Sequence, residues 1–131
     1  MARMNAGKPV LIVDDEPDLC WALEHVLNQM GFYTIIARNG REALSLAEHT
    51  LFRTAFVDIK LPDVDGIELA MQIRGLRPDL PIVLVSGYYY EDDQALQQRM
   101  KETSISGFIG KPFLLEEVRK AAQSVNCTAE T

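Results

Sequence analysis

Short runs of apolar residues recur along the chain, and stretches with the period of a helix separate them. The runs are rich in Val, Ile and Phe, which is typical of strands buried on both faces of a sheet. The pattern therefore predicts a series of buried strands. They cover Val10–Val13, Thr34–Ala37, Ala55–Val57, Ile82–Val85 and Gly107–Ile109.

The clearest helical period lies between the first and second strands. Pro17 suits the first turn of this helix, and Gly31 suits its end. Trp21 lies off the apolar stripe, so we expect its side chain to be partly exposed. The stripe consists of Leu19, Leu23, Val26, Leu27 and Met30.

Further helices are predicted after the remaining strands. The second follows Asn39 as its N-cap, and the third runs from near Ile67 to Gly75. The fourth, roughly Glu91 to Lys101, has a thin apolar stripe, so we expect it to be the least firmly docked and the most mobile. The last helix carries Leu114, Leu115, Val118, Ala121, Ala122 and Val125 on its apolar face.

The alternation of strands and helices indicates an α/β fold. Parallel neighbours need crossover connections, so a parallel sheet with helices on both faces is expected. In such sheets, functional residues gather at the carboxyl ends of the strands, near the point where the strand order reverses. We expect one domain at residues 9–125, a flexible tail at residues 1–8, and a tail or the start of a linker at residues 126–131.

Composition narrows the class of function. The chain has 131 residues and a formal net charge of −6, so its field repels nucleic-acid phosphates and anionic membranes, and direct nucleic-acid binding is not expected. Cys20 and Cys127 match no metal-ligand spacing and do not amount to a disulfide framework. No apolar run is long enough to span a bilayer. The expectation is a soluble cytoplasmic protein.

Polar residues gather where the predicted strands end. Asp14 and Asp15 follow the first strand, Asp58 ends the third, Ser86 ends the fourth, and Lys111 follows the fifth. Carboxylates brought together repel one another, and a bound cation offsets that cost. Carboxylate oxygens without His or Cys favour Mg2+. The sequence therefore predicts a magnesium site at this rim of the sheet.

Several segments resemble, in order and spacing, the signature segments of response-regulator receiver domains, the signalling modules of two-component systems. The resemblance covers roughly Pro9 to Ser124 and implies a (βα)5 flavodoxin-like fold with strand order 2-1-3-4-5. Any one segment alone would be weak evidence for this resemblance, whereas the segments together are strong evidence. They are Val13-Asp14-Asp15-Glu16, Asp58-Ile59-Lys60-Leu61-Pro62-Asp63-Val64-Asp65-Gly66, Val85-Ser86-Gly87 and Gly110-Lys111-Pro112-Phe113.

The resemblance implies a role for each acidic position. Asp58 would be the phosphoryl acceptor, Asp15 a direct Mg2+ ligand, and Asp14 a ligand through water. The backbone carbonyl of Lys60 would complete the protein's share of the metal shell. An aspartate is a poor nucleophile toward a dianionic phosphoryl group unless cations neutralise the developing charge, so the combination is chemically reasonable.

The resemblance also implies how the signal leaves the site. Ser86 would hydrogen-bond a phosphoryl oxygen, and Lys111 would pair with Asp58 or its phosphate, directed by a cis Pro112. Phe108 would fill the space that Ser86 leaves, where many relatives have Tyr. The surface built from the fourth helix, the fifth strand and the last helix would then change, and it is a candidate surface for a homodimer.

The implied partners are a sensor histidine kinase or a phosphotransfer protein, together with an output domain in a longer parent chain or a partner protein. The domain would be a switch that assists its own phosphorylation and dephosphorylation rather than a turnover enzyme. Whether the chain is complete stays open at this point.

Three single segments allow more than one interpretation. Asp63-Val64-Asp65-Gly66 could suggest an aspartate-nucleophile phosphatase or a calcium loop. It does not directly follow a strand, and Leu61 stands where a calcium loop needs its first acidic ligand, so we interpret it as a turn that starts the third helix. Lys60 either reaches the phosphoryl group or is an ordinary exposed lysine. Tyr88, Tyr89 and Tyr90 either form a partner surface or pack on the sheet.

Three alternative functions fit the sequence less well than the switch. A metal-dependent phosphohydrolase would use Asp58 as a nucleophile, but no cap domain or general acid is evident. A nucleotide- or flavin-binding module would need a glycine-rich loop, which the sequence lacks. A degenerate receiver that only binds partners is disfavoured because the acidic pair, the acceptor, the hydroxyl and the lysine are all present.

Overall fold

The computed structural model describes residues 8–86, 94–103, 105–110 and 115–130. Within these residues, parallel strands alternate with helices. The strands are β1 (Val10–Val13), β2 (Thr34–Ala37), β3 (Thr54–Asp58), β4 (Ile82–Ser86) and β5 (Gly107–Gly110). The helices are α1 (Pro17–Gln29), α2 (Gly40–His49), α3 (Gly66–Leu76), α4 (Gln94–Thr103) and α5 (Leu115–Glu130).

The strand order is β2-β1-β3-β4-β5, which confirms the predicted fold. β1 lies at the centre of the reversal, because it pairs with β2 on one side and with β3 on the other. The connections that leave β1 and β3 turn to opposite faces of the sheet and leave a crevice between them. The acidic residues predicted to bind a cation lie at this crevice.

Each face of the sheet carries its own apolar core. One core joins α1 and α5 to the sheet and includes Leu23, Phe56 and Val118, and the other joins α2 and α3 to the sheet. On α1, Cys20 is buried and Leu19 is half-buried, so the predicted stripe is rotated slightly toward Cys20. β2 is an edge strand and is mostly half-buried rather than buried.

The end of α1 and the start of α2 match the predicted signals, whereas α3 extends to Leu76, one residue past its predicted end at Gly75. α1 ends at Gln29. Gly31, two residues later, has φ 94°, and the Phe32 N–H donates to the Leu27 carbonyl at 3.0 Å. This geometry requires a left-handed backbone conformation at position 31, which explains why glycine occupies it. The Asn39 side chain accepts from the Glu42 N–H at 2.8 Å, which confirms the predicted N-cap of α2.

The predicted start of α4 near Glu91 lies outside the described residues, and α5 is longer than its apolar pattern indicates. α4 begins at Gln94, and its described side chains are exposed or half-buried, while its mobility stays a prediction. α5 continues to Glu130, beyond Val125, where the apolar pattern stops. Trp21 is 66% exposed, as predicted. Among the described helices, none has the length and apolar character needed to cross a lipid bilayer.

Candidate functional site

Three carboxylates meet at the carboxyl ends of β1 and β3. Asp14 and Asp58 are buried, with 1% and 4% of their surface exposed, whereas Asp15 is exposed. One oxygen from each of Asp14, Asp15 and Asp58 lies within 4.8 Å of the others. The β1–β3 pairing brings the three together, because Val13 lies beside Val57 in the register and the acids follow directly. The predicted acidic rim is therefore a compact cluster.

The buried Asp14 is held in a fixed orientation. Its N–H donates to the Ala37 carbonyl at 3.0 Å, and its Oδ1 accepts from the Glu16 N–H at 2.9 Å. The Cys20 thiol donates to the Asp14 carbonyl at 3.2 Å. Sequence reasoning missed Cys20 because a lone cysteine carries no pattern, although its place on the first turns of α1 is a usable signal.

The segment after Asp58 folds back against the acceptor strand. The Lys60 N–H donates to Asp58 Oδ1 at 3.3 Å, and the Gly66 N–H donates to the Ile59 carbonyl at 2.7 Å. A Cβ atom on Gly66 would lie 2.1 Å from the Asp58 carbonyl oxygen. Only glycine therefore allows the first turn of α3 to lie this close to Asp58.

Two aspartates of the β3–α3 loop bind different elements. Asp65 is the N-cap of α3 and accepts from the Ile67 N–H at 2.7 Å, which confirms that this segment starts the third helix. Its other oxygen pairs with Arg99 of α4 at 3.3 Å. Asp63 instead accepts from the Gly40 and Arg41 N–H groups at 2.8 and 3.1 Å. Sequence reasoning did not foresee this contact with α2.

Backbone hydrogen bonds lower the pKa of the Asp63 carboxyl below its ordinary value, and the bond from the Gly40 N–H has the largest effect. Together they outweigh desolvation, which raises the pKa. The cause is that N–H groups at a helix start bind the charged form of a carboxylate. Asp63 is therefore an anionic cap of α2 supplied by a distant part of the chain.

The donor set of the acidic cluster fits a hard divalent cation. Asp14, Asp15 and Asp58 offer carboxylate oxygens, and the group contains neither a His nor a Cys ligand. Mg2+ binds few protein carboxylates and keeps several waters, which suits a cluster whose third member, Asp15, is exposed to solvent. Two buried acids beside a third repel one another, and a cation would relieve that repulsion.

The remaining predicted site residues divide into two groups. Ser86 is buried at the end of β4, and Phe108 of β5 pairs with Leu84 in the register. Because side chains alternate along a strand, Ser86, Leu84 and Phe108 belong to the same face of the sheet. Phe108 is 41% exposed. The predictions for Lys111 and Pro112, and those for residues 88–90, lie outside the described residues.

The fold and the acidic cluster agree with comparisons to known proteins. A family model described as the response regulator receiver domain matches residues 10–123, so the chain belongs to this family. Receiver domains are signalling modules of two-component systems that work with histidine kinases or phosphotransfer proteins and often accompany output domains. The predicted family membership is confirmed.

Curated relatives differ in how much of their length the chain covers. It is 29% identical over 117 residues to sporulation initiation phosphotransferase F of Bacillus subtilis, covering 89% of this chain and 92% of that protein. It is 31% identical over 119 residues to the alkaline phosphatase synthesis transcriptional regulatory protein PhoP of Bacillus subtilis, covering 91% of this chain. The chain spans 48% of the length of that regulator.

Solved structures show the same architecture. A CheY-like response regulator receiver domain protein from Methanospirillum hungatei superposes with a TM-score of 0.87 at 28% identity, covering 94% of this chain and 96% of that one. The response regulator TrrA from Thermotoga maritima, solved in complex with Mg(2+)-BeF, gives a TM-score of 0.79 at 28% identity, covering 90% and 98%.

Proposed function

We propose that this receiver domain accepts a phosphoryl group on Asp58 with Mg2+ bound, and that the phosphorylated form presents a changed surface to its partners. The observation that carries the proposal is the approach of ligand oxygens from Asp14, Asp15 and Asp58 to within 4.8 Å of one another. A carboxylate nucleophile beside two further carboxylates is unproductive without a cation and well suited to phosphoryl transfer with one.

The proposed transfer step is a displacement at phosphorus. An Asp58 carboxylate oxygen attacks the phosphorus of a phosphohistidine, the new O–P bond forms as the N–P bond breaks, and the histidine nitrogen leaves with the bond's electrons. Bound Mg2+ would neutralise charge on the transferring oxygens. Asp15 would hold the ion directly, Asp14 would hold it through water, and the Lys60 carbonyl would add a further ligand. Lys111 would supply a second positive charge.

The change in surface begins at Ser86. The aspartyl phosphate adds about −1.5 to −2 charges and strong acceptor oxygens, which the Ser86 hydroxyl is drawn to bind. Phe108 shares a sheet face with Ser86 on the neighbouring strand, and its 41% exposure leaves it room to move inward. Burying Phe108 alters the surface of α4, β5 and α5. A homodimer through that surface is one use of the change.

The proposed donors are a sensor histidine kinase or a phosphotransfer protein in the cytoplasm. Relatives named as transcriptional regulators and as a phosphotransferase support a switch that acts through other domains or proteins. The net charge of −6 disfavours direct nucleic-acid binding by this segment. The domain acts as a switch that carries one phosphoryl group at a time, not as a turnover enzyme.

Intact-mass spectrometry after incubation with acetyl phosphate tests the proposal. The wild-type chain should gain one phosphoryl group when Mg2+ is present and none when it is chelated. Asp58→Asn, which keeps the side-chain shape, should gain none. Asp79→Asn removes an exposed acid from the α3–β4 loop and should behave like wild type. Absence of any adduct on wild type would overturn the proposal, and sustained release of phosphate over many turnovers would indicate a phosphohydrolase instead.

A further inference from the structure

The start of α2 is closed by two different side chains. Asn39 belongs to the helix and accepts from the Glu42 N–H at 2.8 Å. Asp63 lies in the β3–α3 loop and accepts from the N–H groups of Gly40 and Arg41, which precede Glu42. A helix leaves its first N–H groups without acceptors inside the helix, so the loop supplies the acceptor oxygens that α2 lacks. The contact joins residues 23 positions apart.

The loop fits closely onto the helix. A Cβ atom on Gly40 would lie 2.4 Å from Val64 Cγ1, so any larger residue at this position would displace the Val64 side chain. Gly40 itself is buried under this contact. The lowered pKa of Asp63 agrees with a carboxylate held by helix N–H groups. The attachment is therefore specific in both shape and charge.

The same loop carries Lys60, whose carbonyl is the proposed metal ligand. At the start of the loop, the Lys60 N–H donates a hydrogen bond to Asp58 Oδ1 and so attaches the loop to the site. Its far end is closed by an antiparallel bridge between Lys60 and Asp65 and by the bond from the Gly66 N–H to the Ile59 carbonyl. Asp63 lies between these attachments and fixes the outer part of the loop to α2.

We propose that Asp63 is a positioning residue for the metal and phosphoryl chemistry, because its hydrogen bonds to Gly40 and Arg41 fix the loop that presents the Lys60 carbonyl. This inference rests on the proposed function of the acidic cluster. Residues that orient metal ligands affect binding without touching the metal, since a small displacement of a ligand weakens coordination.

Asn39→Ala is the matched control for Asp63→Ala. Both changes remove a side chain that caps the same end of α2, so both should lower the melting temperature. Only Asp63→Ala releases the loop. Asp63→Asn keeps one acceptor oxygen for the Gly40 N–H but presents an amide N–H group to Arg41, so its effect should fall between alanine and wild type.

Hydrogen exchange and metal binding test the inference on the full chain. In metal-free protein, Asp63→Ala should speed amide exchange at Lys60 and Gly66, and Asn39→Ala should not. Calorimetric titration with Mg2+ should show about tenfold weaker binding by Asp63→Ala, the lower end expected for residues that support metal ligands. Asn39→Ala should bind as wild type does.

The outcomes separate the two proposals. If wild type binds Mg2+ and the two alanine variants match it, or weaken binding in proportion to their melting temperatures, Asp63 only caps α2 and the inference fails alone. If wild type neither binds Mg2+ nor forms the phosphoryl adduct, the proposed function fails and the inference falls with it.

Discussion

Asp63 and Arg77 hold opposite ends of α2, a helix to which neither residue belongs. Asp63 binds the N–H groups of Gly40 and Arg41. Arg77 donates from Nε to the Ala47 carbonyl at 3.0 Å and from Nη2 to the Glu48 carbonyl at 3.2 Å. The negative group lies at the helix start and the positive group at its end, as the helix dipole favours. A helix of 10 residues is marginal alone, so α2 depends on these outside contacts.

The stabilisation from Asp63 should disappear in acid. Its pKa is lowered from 3.8 by backbone hydrogen bonds, so its charge stabilises the folded state fully above that pH. The stabilisation is lost as the pH falls below 3.8 through the lower folded-state pKa. Urea unfolding of wild type and Asp63→Ala should therefore differ by a constant free energy at neutral pH and converge in acid. A difference that shrinks between pH 7 and pH 5 would contradict this assignment; Asp79→Ala serves as the control.

Arg77→Ala should lower the free energy of unfolding by about 1 kcal/mol, because two carbonyls at the end of α2 lose their donors. Arg77→Lys should recover little of this loss, since an ammonium group does not reproduce the planar fork of a guanidinium. Chemical denaturation with circular dichroism measures both variants. A lysine variant as stable as wild type would show that charge, rather than the paired geometry, is what matters at this position.

Two glycines in α3 should respond in opposite ways to alanine. A Cβ on Gly66 would lie 2.1 Å from the Asp58 carbonyl oxygen and 2.6 Å from Ile59 Cα, both backbone atoms that cannot move aside. We expect Gly66→Ala to destabilise the domain by about 3 kcal/mol. A Cβ on Gly75 would meet nothing within 4 Å, so Gly75→Ala should stabilise by about 0.5–1 kcal/mol. Thermal unfolding compares them, and equal effects would refute the packing argument.

The ion pair between Asp65 and Arg99 should matter little to global stability. The two side chains are 45% and 40% exposed, so solvent screens the pair, and Arg99→Ala should cost at most about 0.5 kcal/mol. Asp65→Ala also removes the N-cap of α3 and should cost about 1 kcal/mol. Denaturant unfolding of both variants checks the ranking. An equal or larger loss for Arg99→Ala would mean that α4 contributes more to the fold than its described side chains indicate.

Local signals account for the elements that the sequence predicted well. β1 and β2 have the predicted limits, and Asn39 and Gly31 mark helix ends as expected, because strand burial and helix termini depend on neighbouring residues. The acidic cluster was also predictable, since the carboxyl ends of parallel strands meet at one edge. The positions of these aspartates directly after β1 and β3 were enough to predict that they meet.

Contacts between distant segments were not predictable in the same way. Asp63 is an exposed loop acid by every local measure, and its contact with α2 depends on the packing of α3 beside α2. Cys20 replaces Leu19 on the buried face because the rotation of α1 is set by the sheet beneath it. Such contacts become visible only when tertiary packing is known.

The pairing of β1 with β3 has a consequence for how the domain assembles. Asp14 and Asp15 lie far from Asp58 along the chain, so the cluster does not exist until these two strands are aligned. An ion that binds the cluster would therefore bind the native chain and not the unfolded one. By mass action, its binding would add to the stability of the folded domain as well as support the proposed phosphoryl transfer. A fall in free divalent cations would then weaken both together.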